Sequence, residues 1–329
     1  MIFLYSVVLL LAFAVLVKGA DIFVDGSSNL ARILKIPGVV IGLTVVALGT
    51  SMPELAVSVS ASVQGANEIA LSNVVGSNIF NLLGVLGICA LIRPLPVERS
   101  ILSRDFPVSI STTLLVFIVV ALGSVLGGGF LDLGMEENAG VVSRLFGLVM
   151  IAIFLVYITS LVVCARRNPE PESAESAEQK ETPLWKCLLF IALGLVLIIA
   201  GGKAVVFGAQ NIARFFGMSE TLIGLTIVAI GTSLPELVTS IVAARKGEVS
   251  LAVGNVLGSN IFNLLFILGL SAAIVPVSVN VASVYDMLIL IFVSALSWIF
   301  SITKRRIGRF EGAVMVLLYI CSTIFAILR

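Results

Sequence analysis

Apolar runs of roughly 20 residues, long enough to cross the hydrocarbon of a bilayer, recur along the whole sequence. The charges are pushed into the short gaps between them. The runs place membrane spans at about residues 2–24, 38–64, 69–92, 106–126, 144–164, 184–208, 221–244, 250–274, 281–302 and 310–328. This pattern predicts an all-α integral membrane protein with ten transmembrane helices. The only clearly polar stretch runs from Arg166 to Pro183. The first apolar run begins at Ile2, with no basic residue before Lys18 and no small-residue cleavage site behind it. It is therefore expected to stay as the first span of a multi-pass protein.

Composition narrows the chemistry. A chain that is 59% hydrophobic and 12% charged, with a mean hydropathy of +1.17, has too much apolar surface for one water-soluble core. Its solvent is lipid. The net charge of +1 gives no reason to expect a nucleic-acid partner. There is no histidine, so the commonest transition-metal ligand and the usual near-neutral proton switch are both missing. Cys89, Cys164, Cys187 and Cys321 lie scattered without CxxC spacing, which argues against a disulfide framework or a thiolate metal site. An ion bound here must be held by oxygen.

The charges also orient the chain. Grouping alternate gaps, all but Arg144, Lys203, Arg214 and Arg329 of the 20 Lys and Arg residues fall on one side. By the positive-inside rule, the amino terminus faces outside and the segment 166–183 is a cytoplasmic linker in a plasma (inner) membrane protein. That divides the chain into 1–165, the linker, and 184–329.

The two halves repeat each other. Gly49-Thr50-Ser51-Met52-Pro53-Glu54-Leu55 returns as Gly231-Thr232-Ser233-Leu234-Pro235-Glu236-Leu237. Gly42-Leu43-Thr44 returns as Gly224-Leu225-Thr226, and Gly76-Ser77-Asn78-Ile79-Phe80-Asn81 as Gly258-Ser259-Asn260-Ile261-Phe262-Asn263. Gly19, Asn29 and Arg32 match Gly201, Asn211 and Arg214 at the same offset of 182 positions. An offset that contains five spans, an odd number, makes each copy enter the membrane from the opposite side. The architecture expected is two inverted five-helix repeats, as in transporters that alternate access around a midplane site.

Glu54 and Glu236 fall deep within the second and seventh spans, where a carboxylate costs roughly 2.5 to 3.5 kcal/mol. No Lys or Arg occurs between Lys35 and Arg93 or between Arg214 and Arg245 to pair with them inside those spans. A bound cation or a proton must compensate each one. Thr50 and Ser51 precede Glu54 by four and three residues, so in a continuous helix their hydroxyls share its face; Thr232 and Ser233 repeat this before Glu236. Pro53 and Pro235 remove an N–H and crowd the turn before them, so each helix should break and free carbonyl oxygens. Ser77 with Asn81, and Ser259 with Asn263, sit at i and i+4 and present a hydroxyl and an amide oxygen on one face. Such an all-oxygen set suits Ca²⁺ and Na⁺ better than Mg²⁺, which dehydrates reluctantly and demands a strict octahedron. Gly76 and Gly258 read as points of close helix packing, and Asn78 and Asn260 serve equally well as interhelical hydrogen-bonding residues.

The paired motifs GTSMPE with GSNIFN and GTSLPE with GSNIFN resemble the two α-repeats of the sodium/calcium exchanger family, within the cation/calcium exchanger superfamily. The resemblance covers nearly the whole chain. It implies secondary active, electrogenic antiport of Na⁺ against Ca²⁺ by alternating access, with no cofactor besides the transported ions. It further implies that Glu54 and Glu236 chelate Ca²⁺ with the carbonyls of Thr50 and Thr232. Ser51, Ser77 and the carbonyl of Ala47 would form one Na⁺ site; Ser233, Ser259 and the carbonyl of Ala229 would form its mirror image. Asn81 and Asn263 would border the centre. Some relatives, including the potassium-dependent branch, carry Asp at the position of Asn263, which argues against potassium co-transport here. The glycine-rich first and sixth spans, with Gly19 and Gly26 mirrored by Gly201 and Gly208, would slide past the site as a pair. One chain in the bilayer is expected to be the working unit.

The nearest rival is a proton/calcium exchanger, because protons also neutralise buried carboxylates. Relatives of that kind have Gly-Asn-x-x-Glu where this chain has GTSMPE and GTSLPE. A passive cation channel is a more distant alternative. An enzyme is disfavoured, since no nucleophile-base set or histidine metal motif accompanies the glutamates. Glu170, Glu172, Glu175, Glu178 and Glu181 in the linker read as a solvated tether rather than a Ca²⁺ sensor, for want of a glycine-turned loop. Asp132, Glu136 and Glu137, in an expected outer loop, reflect the exclusion of positive charge there.

Overall fold

A computed structural model describes residues 2–66, 68–126, 134, 137–167, 182–218, 223, 227 and 229–328. The linker glutamates, Asp132, Glu136 and Gly224-Leu225-Thr226 lie outside the described residues. The apolar runs form helices because each must satisfy its own backbone N–H and C=O groups within the hydrocarbon. They are α1 (Ile2–Leu34), α2 (Gly38–Thr50), α3 (Met52–Val63), α4 (Glu68–Ile92), α5 (Ile101–Val120), α6 (Arg144–Arg167), α7 (Leu184–Phe215), α8 (Ala229–Thr232), α9 (Leu234–Lys246), α10 (Val249–Ile274), α11 (Val281–Thr303) and α12 (Arg309–Leu328). Among the described residues, eight of these are long and apolar enough to cross a bilayer. The α2 and α3 pair passes the same test as one span bent by 48°.

Two helices outrun their hydropathy. The apolar stretches of α1 and α7 end near residues 24 and 208, yet the helices continue to Leu34 and Phe215. Hydropathy marks where lipid ends, whereas a helix stops where its backbone is broken. Here the breaks are left-handed residues at Lys35 (φ 52°) and Gly217 (φ 78°), 182 positions apart. In each, the next N–H reaches back over the turn, Ile36 to the Ala31 carbonyl and Met218 to the Ala213 carbonyl, both at 3.1 Å.

α1 and α7 pack along each other more extensively than any other pair of helices. Glycines make that approach possible: a Cβ on Gly194 would lie 2.6 Å from the Phe23 nitrogen, and one on Gly201 would lie 2.8 Å from the Leu16 nitrogen. Gly19, Gly26 and Gly208 likewise face the partner helix of this pair. These glycines therefore seal α1 to α7, and they do not form a surface against the Glu54 and Glu236 segments.

At the centre of the bundle lie α4 and α10, each 78% buried over its apolar window, against 11% for α12. Two small antiparallel ribbons supplement the helices. β1 (Leu95–Pro96) pairs with β4 (Arg306–Ile307), and β2 (Asn138–Val142) pairs with β3 (Val277–Asn280). Each ribbon joins a loop of the first half to a loop of the second.

Candidate functional site

The two proline motifs break their helices at a serine. Ser51 (φ −84°, ψ 11°) ends α2 and caps α3, with Pro53 in the first turn, where a missing N–H costs nothing. Ser233 (φ −91°, ψ 8°) does the same between α8 and α9, ahead of Pro235. The breaks are not identical. The Ser51 N–H bonds the Ala47 carbonyl at 3.1 Å, four residues back, whereas the Ser233 N–H takes the Ile230 carbonyl at 3.1 Å and passes over Ala229.

Both carboxylates are fully buried, and each is held by the other half of the chain. The Ser51 hydroxyl donates to Glu236 Oε1 at 2.7 Å, and the Ser233 hydroxyl donates to Glu54 Oε1 at 2.9 Å. Ser77 Oγ lies 3.1 Å from Ser233 Oγ and extends this chain of hydroxyls. The expectation that Ser51 and Ser233 would share a face with the glutamate of their own helix is corrected here. Non-helical ψ at each serine breaks the phase between the segments, so the hydroxyl points across to the opposite motif.

Thr50 turns outward from its own glutamate as well. Its hydroxyl lies 3.0 Å from Asn255 Oδ1, to which it donates, and 3.5 Å from the Ala47 carbonyl. Asn255 in turn donates to the Glu236 carbonyl at 3.4 Å and to the Ser240 hydroxyl at 2.9 Å. In the first half, Asn73 makes the matching bonds to the Glu54 carbonyl at 3.3 Å and to Ser58 at 2.9 Å. These asparagines and serines, which brace the turn carrying each glutamate, escaped the sequence reading. Their signal was present, since Asn73 and Asn255, and Ser58 and Ser240, keep the offset of 182 positions.

Asn78 and Asn260 link α4 to α10. The Asn78 amide donates to the Asn260 carbonyl at 3.1 Å, and the Asn260 amide donates to the Asn78 carbonyl at 3.2 Å. The interhelical bonding expected of these two residues is observed. Asn81 and Asn263 sit in wide π-helical turns, Phe80–Val85 and Asn263–Ile267, which rotate the chain locally. Asn263 donates to Asn78 Oδ1 at 3.0 Å.

Several buried polar atoms of these residues have no hydrogen-bond partner among the described residues: Glu54 Oε2, Glu236 Oε2, Asn263 Oδ1, and both Oδ1 and Nδ2 of Asn81. Buried acceptors are normally satisfied, and unpaired carboxylate and amide oxygens can take up a positive charge. No group of three or more His, Cys, Asp or Glu that could hold a metal occurs among the described residues.

A cavity of about 570 Å³ borders the two proline motifs without touching either glutamate. Its wall includes Pro53, Ser60, Lys203, Gly231, Thr232 and Pro235. On the opposite side α2 is pressed onto α10: a Cβ on Gly258 would lie 2.6 Å from Leu43 Cα, and one on Gly42 would lie 2.6 Å from the Leu251 carbonyl. Gly258 is thus a packing glycine as expected. Its counterpart Gly76 has nothing within 4 Å among the described residues.

The family described as "Sodium/calcium exchanger protein" matches residues 4–163 and 186–328. The chain is similar to "Sodium/calcium exchanger MaX1" of Methanosarcina acetivorans, at 37% identity with 95% of each chain covered. It is also similar to "Inner membrane protein YrbG" of Escherichia coli, at 38% identity over 83% of this chain and 81% of that one. Among solved structures, the sodium-calcium exchanger NCX_Mj soaked with 10 mM Na⁺ and zero Ca²⁺ superposes with a TM-score of 0.80 at 30% identity, covering 98% of both chains. A nearly all-helical membrane bundle, a buried pair of glutamates held from both halves, and these matches along its length lead to one conclusion: the chain belongs to the sodium/calcium exchanger family of membrane antiporters.

Proposed function

We propose that this chain exchanges Na⁺ for Ca²⁺ by alternating access around Glu54 and Glu236. The observation that carries the reading is the state of those two carboxylates: fully buried, each taking a serine hydroxyl of the opposite motif at one oxygen, and with the other oxygen lacking a hydrogen-bond partner among the described residues. Ca²⁺ would be chelated by both glutamates with the carbonyls of Thr50 and Thr232. Na⁺ would use Ser51, Ser77 and the Ala47 carbonyl, and on the other side Ser233, Ser259 and the Ala229 carbonyl, with Asn81 and Asn263 bordering the centre.

Two carboxylates carry about two negative charges, which one Ca²⁺ neutralises and several Na⁺ ions overcompensate. Both loads need the same oxygens, so they compete. A half-filled centre would leave charge unneutralised in low dielectric, and only a loaded one can move between facing the two sides. The framework for this is two inverted five-helix repeats, residues 1–165 and 184–329, giving ten spans around one site in a single chain. The amino terminus lies outside and the linker lies in the cytoplasm. On that orientation the cavity beside Thr232 opens outward. The NCX_Mj structure that this chain resembles concerns extracellular ion exchange and binding-site occlusion, which fits such a state.

The deciding experiment is Ca²⁺ uptake into Na⁺-loaded proteoliposomes, with and without an outward Na⁺ gradient and with a protonophore. Uptake should need the gradient, survive the protonophore, and vanish in Glu54→Gln and in Glu236→Gln. Uptake driven by a pH gradient alone overturns the reading in favour of proton/calcium exchange.

A further inference from the structure

We infer that the ion pairs joining Lys246 to Asp21 and Asp25 form a one-sided latch that favours the state whose cavity beside the proline motifs lies at the opposite end. This rests on the alternating-access reading above. Lys246, the last residue of α9, places its ammonium 2.6 Å from Asp21 Oδ1 and 2.6 Å from Asp25 Oδ1, and donates to the Asp21 carbonyl at 3.1 Å. Lys18 supports Asp21 from the same helix at 2.8 Å. A second strap runs from Arg32 to Glu248 at 3.1 Å.

The pairs connect two different bodies. Asp21, Asp25 and Arg32 lie on α1, which is sealed to α7 by the glycine contacts described above. Lys246 and Glu248 follow directly from the Glu236 helix into α10. Asp21 and Asp25 stand one turn apart, so a slide of α1 by one helical turn, about 5.4 Å, would carry one of them into the other's place, leave Lys246 with one partner in place of two, and draw Arg32 away from Glu248. The bonds thus belong to one arrangement of α1 against the site-bearing helices.

The positions 182 residues away test this directly, because they occupy the same place at the other end. Asp21 corresponds to Lys203, Asp25 to Phe207, Lys18 to Ala200, Lys246 to Gln64 and Glu248 to Ala66. Lys203, Phe207 and Gln64 therefore supply no pair of opposite charges in place of Lys246 with Asp21 and Asp25. The backbone is not the cause, since Gly65 (φ 79°) and Gly247 (φ 89°) end the two helices with the same left-handed turn. The end without the latch carries the cavity that touches Thr232 and Pro235. At the latched end, the groove lined by Val17, Lys18, Asp21, Val242, Arg245 and Lys246 includes no residue of either proline motif. Partly exposed pairs are individually weak, so the latch biases an equilibrium and does not lock it.

The test uses the full-length protein in liposomes, with the four native cysteines replaced and Ser60→Cys added in the cavity wall. The readouts are alkylation by a membrane-impermeant maleimide from the cavity side and Na⁺-driven Ca²⁺ exchange. Lys246→Gln should slow alkylation about threefold to tenfold. Asp21→Asn with Asp25→Asn should do the same, the triple variant should add nothing further, and Lys246→Arg should restore the parent rate. Unchanged alkylation in both the Lys246→Gln and the double aspartate variants, with exchange intact, overturns the latch. Absence of exchange in the parent protein instead overturns the transport reading on which it stands. If Lys246→Gln does not fold, the aspartate pair, whose charges lie at the exposed rim, carries the same comparison.

Discussion

Asn78 and Asn260 each donate a side-chain amide to the other's backbone carbonyl, at 3.1 and 3.2 Å, inside the bundle. The two bonds are alike, yet the two residues are not. Asn78 Oδ1 also accepts the Asn263 amide, while Asn260 Oδ1 has no partner. Asn78→Ala therefore strands the buried Asn263 amide, which Asn260→Ala leaves bonded; the Asn260 carbonyl keeps the Asn263 backbone N–H in either case. At about 1–3 kcal/mol for each stranded group, Asn78→Ala should destabilise the protein more. Thermal unfolding of the two variants in detergent measures the difference; equal losses would refute the assigned bonding.

The serine exchange predicts a second asymmetry. Ser233 bonds both Glu54 and Ser77, whereas Ser51 bonds Glu236. Hydrogen bonds to charged groups contribute about 1.5–3 kcal/mol, roughly one to two decades in affinity. Ser233→Ala should raise the Na⁺ concentration for half-maximal exchange by about tenfold or more, and Ser51→Ala by less. Na⁺ titration of Ca²⁺ efflux from proteoliposomes gives both values, and the reverse order would count against the bonding assigned to Ser233.

Asn255 offers a test of positioning without direct ion contact. It accepts from Thr50 and donates to the Glu236 carbonyl and to Ser240, so it fixes both motifs at once. Asn255→Ala should weaken Ca²⁺ binding about tenfold, the equivalent of one buried hydrogen bond to a site group. Thr50→Val should cost less on that background than in the parent chain, since its hydroxyl has already lost its acceptor. Calorimetric Ca²⁺ titration of the four proteins reads that coupling, and strict additivity argues against it.

Glycine substitutions at equivalent positions should diverge. A Cβ at Gly258 meets the Leu43 backbone at 2.6 Å, whereas at Gly76 nothing described lies within 4 Å. Gly258→Ala should cost about 1–3 kcal/mol through forced backbone movement, and Gly76→Ala should be near neutral. Chemical denaturation in detergent separates the two; a large loss at Gly76 would mean that the helices close there too.

Much of this arrangement was legible in the chain because its causes are one-dimensional. Hydropathy located the helices, the offset of 182 positions exposed the duplicated motifs, and the lack of nearby bases singled out Glu54 and Glu236. What stayed hidden depends on how two segments meet. Helical periodicity assigns Ser51 to the Glu54 face, but one serine with ψ 11° redirects it to Glu236. Asn73 and Asn255 looked like ordinary polar residues until the helices carrying Ser58 and Ser240 were placed beside them. Hydropathy does not mark the ends of α1 and α7, because polar residues such as Asn29 extend a helix beyond the lipid until Lys35 and Gly217 stop it.

The ribbons impose an order on biosynthesis. Leu95 and Pro96 emerge from the ribosome early, but their hydrogen-bonding partners Arg306 and Ile307 lie close to the carboxyl end. For most of translation the first half must wait in the bilayer with that edge unpaired. The scaffold closes only when the final hairpin arrives, so truncation before Arg306 should leave an open bundle exposed to quality-control proteases.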